Sequence, residues 1–154
     1  MAKKRPLKPG KKRPGRQFAA LPLMVCGGET LVMLVTTRES RRWVLPKGWA
    51  EVGVAPHDLA AREAFEEAGI LGRVAPEAVG EFTYRKRLDS GATVLCKVVV
   101  YPLWVTRQLE QWPEQHQRET QWFTLAEAPL MVDEGGLVAL LLRLSAPEVS
   151  LPQP

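Results

Sequence analysis

Apolar positions along this chain follow two rhythms, and the changes of rhythm mark its elements. Phe18 to Cys26 is a nearly unbroken apolar run that predicts a strand. A Gly27-Gly28 turn closes it, and Leu31 to Thr36 predicts a second strand. Trp43 to Leu45 is a short extended piece, followed by a turn at Pro46-Lys47-Gly48. From Pro56 to Ala68 the rhythm becomes helical, with Ala61, Ala64, Phe65 and Ala68 on one side. Pro56 suits a first helical turn, where its missing N–H is no loss, and Gly69 suits a left-handed stop. Val74 to Leu88 is extended, with its strand beginning near Val79 and ending at a hairpin turn, Asp89-Ser90-Gly91. Ala92 to Val105 is almost continuously apolar, which predicts a strand covered on both faces. Gln121 to Thr124 is a last short strand, and Leu125 begins helical structure. Leu137, Leu140, Leu141 and Leu144 give a helix from Glu134 to Leu144 one apolar stripe. The order is that of an α/β fold, with no internal repeat.

Composition narrows this to one soluble domain. A chain of 154 residues holds one core, and 45% apolar with 25% charged residues is ordinary for a globular protein. No apolar run reaches the roughly 18 residues that span a bilayer, and no secretory leader opens the chain, so a cytoplasmic location is expected. Cys26 and Cys96 stand far apart in apolar runs and are expected as small core residues, neither disulfide nor metal pair.

Charge is unevenly divided. Residues 1–16 carry eight Lys or Arg, no acid and three prolines, and the rest carries thirteen basic against seventeen acidic residues. Such a segment is expected to be a disordered basic tail, able to attract nucleic acid or another polyanion by long-range electrostatics. It holds no aromatic residue for stacking on bases. The expected division is tail 1–16, domain 17–145 and a loose end 146–154.

The chemistry concentrates in Arg62-Glu63-Ala64-Phe65-Glu66-Glu67-Ala68-Gly69-Ile70. Glu63, Glu66 and Glu67 stand at i, i+3 and i+4, within roughly a 100° sector of a helix. Like charges so spaced destabilise an isolated helix by a few tenths of a kcal/mol per pair, roughly. A hard divalent cation, which takes carboxylate oxygens, offsets that repulsion. A solvated acidic face is the plain alternative for an isolated E-x-x-E-E.

The wider setting resembles the Nudix hydrolases, whose signature is G-x5-E-x7-R-E-U-x-E-E-x-G-U with U aliphatic. Gly48, Arg62, Glu63, Glu66, Glu67, Gly69 and Ile70 occupy the matching places, and Ala64 is a small first U. The first signature glutamate falls on Val54, which neither binds metal nor pairs with a base; Glu51 lies three residues earlier. The resemblance runs from about Gln17 to Leu142. Flanking segments around Phe18–Pro22, Thr37–Trp49 and Gln111–Phe123 resemble the diphosphoinositol polyphosphate phosphohydrolase branch, in a bacterial-type member.

That resemblance implies an α/β/α sandwich with a mixed sheet and a Mg²⁺- or Mn²⁺-dependent pyrophosphohydrolase. It assigns Glu63 and Glu67 as metal ligands, with the Gly48 carbonyl as a third. Glu66 becomes the general base, Glu63 being able to exchange roles with it, and Arg62 orients a carboxylate. By the same resemblance Lys47, Arg41, Arg42, Arg85 and Arg87 contact a polyphosphate chain. The implied substrates are small phosphoanhydrides: nucleoside diphosphate-linked compounds, dinucleoside polyphosphates or diphosphoinositol polyphosphates. The mRNA 5′ end is a larger substrate for the same chemistry. A second class stays open, a catalytically weak nucleotide- or RNA-binding module anchored by the basic tail. Val54 favours it; retention of three mutually repelling glutamates opposes it. Of the tryptophans, Trp43, Trp104 and Trp122 are expected in the core, Trp49 at the pocket and Trp112 at an edge.

Overall fold

The computed structural model describes residues 12–154, with side chains from residue 15 onward. Residues 1–11 of the expected tail lie outside the described residues. The strands are β1 (Lys12–Cys26), β2 (Glu29–Thr36), β3 (Trp43–Val44), β4 (Lys47–Glu51), β5 (Ile70–Val74), β6 (Gly80–Arg87), β7 (Thr93–Gln108) and β8 (Thr120–Thr124). The helices are α1 (Pro56–Ala68), α2 (Ala128–Met131) and α3 (Gly135–Leu144).

These strands form one mixed sheet. Its path is β3-β2-β1-β7-β5, with β4 joined to β1, β6 to β7 and β8 to β2. The long strands β1 and β7 run parallel at its centre, and the other pairings are antiparallel. Alternation along β1 separates two cores, one on each face. Ala19, Leu21 and Leu23 pack with Leu137, Leu140 and Leu141 of α3, whereas Phe18 and Ala20 pack with Leu59, Ala60 and Ala64 of α1. A sheet with helices on both faces is the α/β/α sandwich that the resemblance implies. No described helix is long and apolar enough to cross a membrane.

Three expectations require correction. Residues 12–16, assigned to the tail, belong to β1: Lys12 and Arg13 pair with Glu51 and Ala50, and Arg16 pairs with Lys97. Backbone ladders satisfy N–H and C=O groups whatever the side-chain charge, so a basic composition did not exclude a strand. The end from 146 to 154 is anchored rather than loose. Val149 and Leu151 pack on the α3-side core, and the Trp104 indole N–H donates to the Pro152 carbonyl at 3.2 Å. Cys26 is exposed, because β1 ends there at the hairpin, while Cys96 is buried.

Candidate active site

Helix α1 occupies the span its pattern predicts. Pro56 stands in its first turn, and Gly69 closes it at φ 66°, donating its N–H to the Phe65 carbonyl at 3.0 Å. Outside the helix, Trp112 fixes the same end. Its indole N–H donates to the Glu67 carbonyl at 3.2 Å, and its ring fills the space that a Cβ at position 69 would need. Gly69 is therefore required twice, by its φ and by the tryptophan packed on it.

The buried apolar stripe of α1 turns Glu63 and Glu67 inward beside β4. Both are nearly inaccessible, at 8% and 4% exposure. Burial of Glu63 depends on Gly48, since a Cβ there would overlap the Glu63 carboxyl group. Glu67 accepts a hydrogen bond from the Lys47 backbone N–H at 3.3 Å. The two carboxyl groups are also hydrogen-bonded to each other and repel when charged. Burial pushes the Glu67 carboxyl up to about 8, against the opposing pull of Arg118 and Lys47. Burial likewise lowers the Lys47 ammonium to about 8, against the pull of Glu67.

Arg118 is the main counter-charge from outside the helix. Its guanidinium lies 3.6 Å from Glu67 and 3.1 Å from Glu114, and it donates to the Thr36 carbonyl at 3.1 Å. The Glu114 N–H donates to the Glu66 carbonyl at 2.9 Å, tying this loop to α1. Arg118, Glu114 and Trp112 lie in the Gln111–Phe123 segment that carries the branch resemblance, but only folding of the β7–β8 connection brings them to the helix.

Arg62 forms ion pairs with Glu51 of β4 and, at 3.8 Å, with Glu63. The Glu51 side chain is only 8% exposed, so this pair joins α1 to β4 with its carboxylate end buried and its guanidinium partly in water. Val54 turns instead into the α1-side apolar cluster. The hydrophobic residue at the first-glutamate position is thus used in packing, and the carboxylate facing Arg62 comes from Glu51.

Gly48, Glu114 and Arg118 stand at an open cleft of about 840 Å³. Glu63, Glu66 and Glu67 line it, as do Lys47, Arg42, Arg85 and Arg87. Arg41 is the exception among the expected substrate contacts. It is exposed, adopts φ 54° in the turn before β3, and is not among the lining residues. Lys86, absent from the sequence-based set, lies 5.8 Å from the Trp49 ring and adds to the positive field at Lys47. Period-two alternation in β6 was the signal available: Phe82, Tyr84 and Lys86 are the more buried positions, and Arg85 and Arg87 are exposed.

The donor set suits a hard divalent cation. Two buried carboxyl groups facing one another, one pushed toward its protonated form, gain from a cation that replaces the shared proton. Among the described residues no three Asp, Glu, His or Cys side chains converge into a ready-made cage. Mg²⁺ commonly takes one or two carboxylates and completes its shell with water and substrate phosphate.

A family model described as the NUDIX domain matches residues 14–141, and the chain belongs to that family. Nudix hydrolase 21, chloroplastic, from Arabidopsis thaliana is 34% identical over 103 residues, covering 66% of this chain and 50% of that protein. Diphosphoinositol polyphosphate phosphohydrolase 3-beta from Bos taurus is 29% identical over 102 residues, covering 65% of this chain and 58% of that protein. The chain spans about half the length of the curated relatives it matches. Among solved structures, a C. elegans Ap4A hydrolase binary complex aligns with a TM-score of 0.64 at 19% identity, covering 84% of this chain and 94% of that one. At that identity the likeness speaks to the fold alone.

Proposed function

We propose that this chain is a Mg²⁺- or Mn²⁺-dependent pyrophosphohydrolase of small phosphoanhydrides, working in the cytoplasm. The observation that most supports this reading is the buried Glu63–Glu67 carboxyl pair, set against Gly48 and opening to a cleft with basic walls. Glu63, Glu67 and the Gly48 carbonyl would hold the cation, which would supply charge neutralisation at the phosphate oxygens. Glu66 accepts the proton of the attacking water. Arg62, fixed by Glu51, holds Glu63 in place, and Lys47, Arg42, Arg85 and Arg87 bind the phosphate chain. The substrate classes are nucleoside diphosphate-linked compounds, dinucleoside polyphosphates and diphosphoinositol polyphosphates. The last rests on the bovine relative's name and on the diphosphoinositol polyphosphate phosphohydrolase branch that the flanking segments resemble, whereas a bacterial-type member favours the dinucleoside polyphosphates and related nucleotides.

The test is a phosphoanhydride panel assayed with and without Mg²⁺, the products being separated by chromatography. Turnover of at least one class only with metal supports the reading, and absence of turnover from folded, metal-loaded protein sinks it. In that case the binding-module reading, which Val54 favours, takes its place. Removing residues 1–11, which leaves all of β1 intact, would then abolish salt-dependent RNA binding.

A further inference from the structure

Two strands on one wall of the cleft carry an interlaced pattern that phosphate binding alone does not explain. β4 presents Lys47 and Trp49, and β6 presents Tyr84 and Lys86. Each lysine rests on the ring of the other strand: Lys47 Nζ lies 5.5 Å from the Tyr84 centroid, and Lys86 Nζ lies 5.8 Å from the Trp49 centroid. The pairs are not equivalent. Tyr84 is pinned, because its hydroxyl donates to the Gln17 side-chain oxygen at 2.6 Å across the intervening strand β7. Lys47 answers to Glu67. Lys86 takes part in none of the described ion pairs, and the Trp49 ring is its counter-surface.

Trp49 is thus a half-buried aromatic ring in a charged, wet cleft, one residue from the glycine against which Glu63 packs. A ligand made only of phosphates on a polyol has no use for it. A nucleotide supplies both complements, a flat base for the ring and an anionic chain for the ammonium. Stacking of a base on an aromatic side chain is a stronger contact than an exposed cation–π pair, so the base displaces Lys86. The released ammonium gains a phosphate partner in exchange.

We infer that Trp49 is a nucleobase platform whose face Lys86 covers until a nucleotide stacks there, so that among the phosphoanhydrides proposed above this residue selects those that carry a base. This rests on the hydrolase reading above for its substrate class, but its test needs no turnover. AMP and ribose 5-phosphate differ only in the base, and neither has an anhydride bond to hydrolyse.

The experiment measures dissociation constants of both ligands, by calorimetry in Mg²⁺, for wild type, Trp49→Phe, Trp49→Ala and Lys86→Gln. The expected result is a preference of about tenfold or more for AMP in the wild type. Trp49→Phe retains most of that preference, and Trp49→Ala abolishes it. Lys86→Gln weakens both ligands while leaving the preference for AMP. Retained Trp49→Phe binding separates loss of a platform from loss of fold. Equal binding of AMP and ribose 5-phosphate by the wild type overturns the inference, and so does an AMP preference that survives in Trp49→Ala or no binding of either ligand. Hydrolysis without a base preference removes the platform alone; a base preference without hydrolysis removes the enzyme reading alone.

Discussion

Gly48 and Glu63 occupy a space that only a glycine leaves open: the Glu63 carboxyl group lies where the side chain of any other residue at position 48 would begin. The β4 backbone thereby admits a helix glutamate to the sheet edge and holds it in the cleft. The atoms that a new Cβ would displace are the far end of a flexible side chain. Gly48→Ala is therefore expected to cost little stability, below about 1 kcal/mol, while moving the carboxylate. A displacement on that scale lowers kcat/KM by about a hundredfold. Steady-state kinetics beside thermal melts check this; unchanged kinetics would show that Glu63 is not held by the close approach.

The Glu51–Arg62 pair makes its own prediction. Removing one partner of a fully buried pair costs about 3–5 kcal/mol, and Arg62, with its side chain 36% exposed, reduces that to about 2 for Glu51→Gln. Val54→Glu alone is neutral or mildly activating in turnover, with a small stability loss from burying a carboxylate at a half-buried apolar site. The Val54 N–H reaches back to the Glu51 carbonyl at 3.4 Å, so both side chains leave the same turn. In the Glu51→Gln background Val54→Glu should accordingly restore part of the loss. A double-mutant cycle in urea measures the coupling, and strict additivity would refute it.

Arg118 is 12% exposed at its side chain and faces both Glu67 and Glu114. Arg118→Leu takes the shared partner from the Glu114 carboxylate and the Glu67 carboxyl group and is expected to cost about 2 kcal/mol at neutral pH. Saturating Mg²⁺ should recover part of this by supplying positive charge at Glu67. Urea denaturation with and without Mg²⁺ decides the point, and a loss insensitive to the cation would detach Arg118 from the site.

Metal affinity should depend on pH through Glu67. Its folded pKa, raised to about 8, exceeds the unfolded value near 4.5, so the folded metal-free protein binds the extra proton. The resulting stability is complete below about 4.5 and declines as pH rises toward about 8. A cation must displace that proton, so the Mg²⁺-induced rise in melting temperature should be larger at about pH 8 than at about pH 6. Glu67→Gln should flatten this dependence; an unchanged slope in that variant would assign it to another group.

The helix was the most legible part of the chain because its signals are local. Pro56, the spacing of the apolar face and Gly69 all act within one segment, and its bounds match those that the pattern predicts. Strands β4 and β5 were illegible for the opposite reason. Pro46-Lys47-Gly48 reads as a turn, and only the pairing of Lys47, Gly48 and Trp49 with Ala19, Phe18 and Gln17 makes a strand there. Ile70–Val74 contains Gly72 and Arg73, and it is held by β7. At the site, Glu63 and Glu67 were readable from spacing. Arg118 and the Glu51–Arg62 pair were not, because neither bond is implied by distance along the chain. Lys86 was recoverable, since alternation in β6 groups it with Phe82 and Tyr84 rather than with its arginine neighbours.

The most direct test of the account compares wild type with Glu66→Gln at equal Mn²⁺ occupancy, measured on the same preparations. Glu66 lines the cleft beside the two buried glutamates. As the proton acceptor it should leave cation binding nearly intact while lowering kcat by about 10²–10⁴-fold. A Glu66→Gln protein that binds Mn²⁺ and turns over within about twofold of wild type would contradict the assignment of the base at this residue.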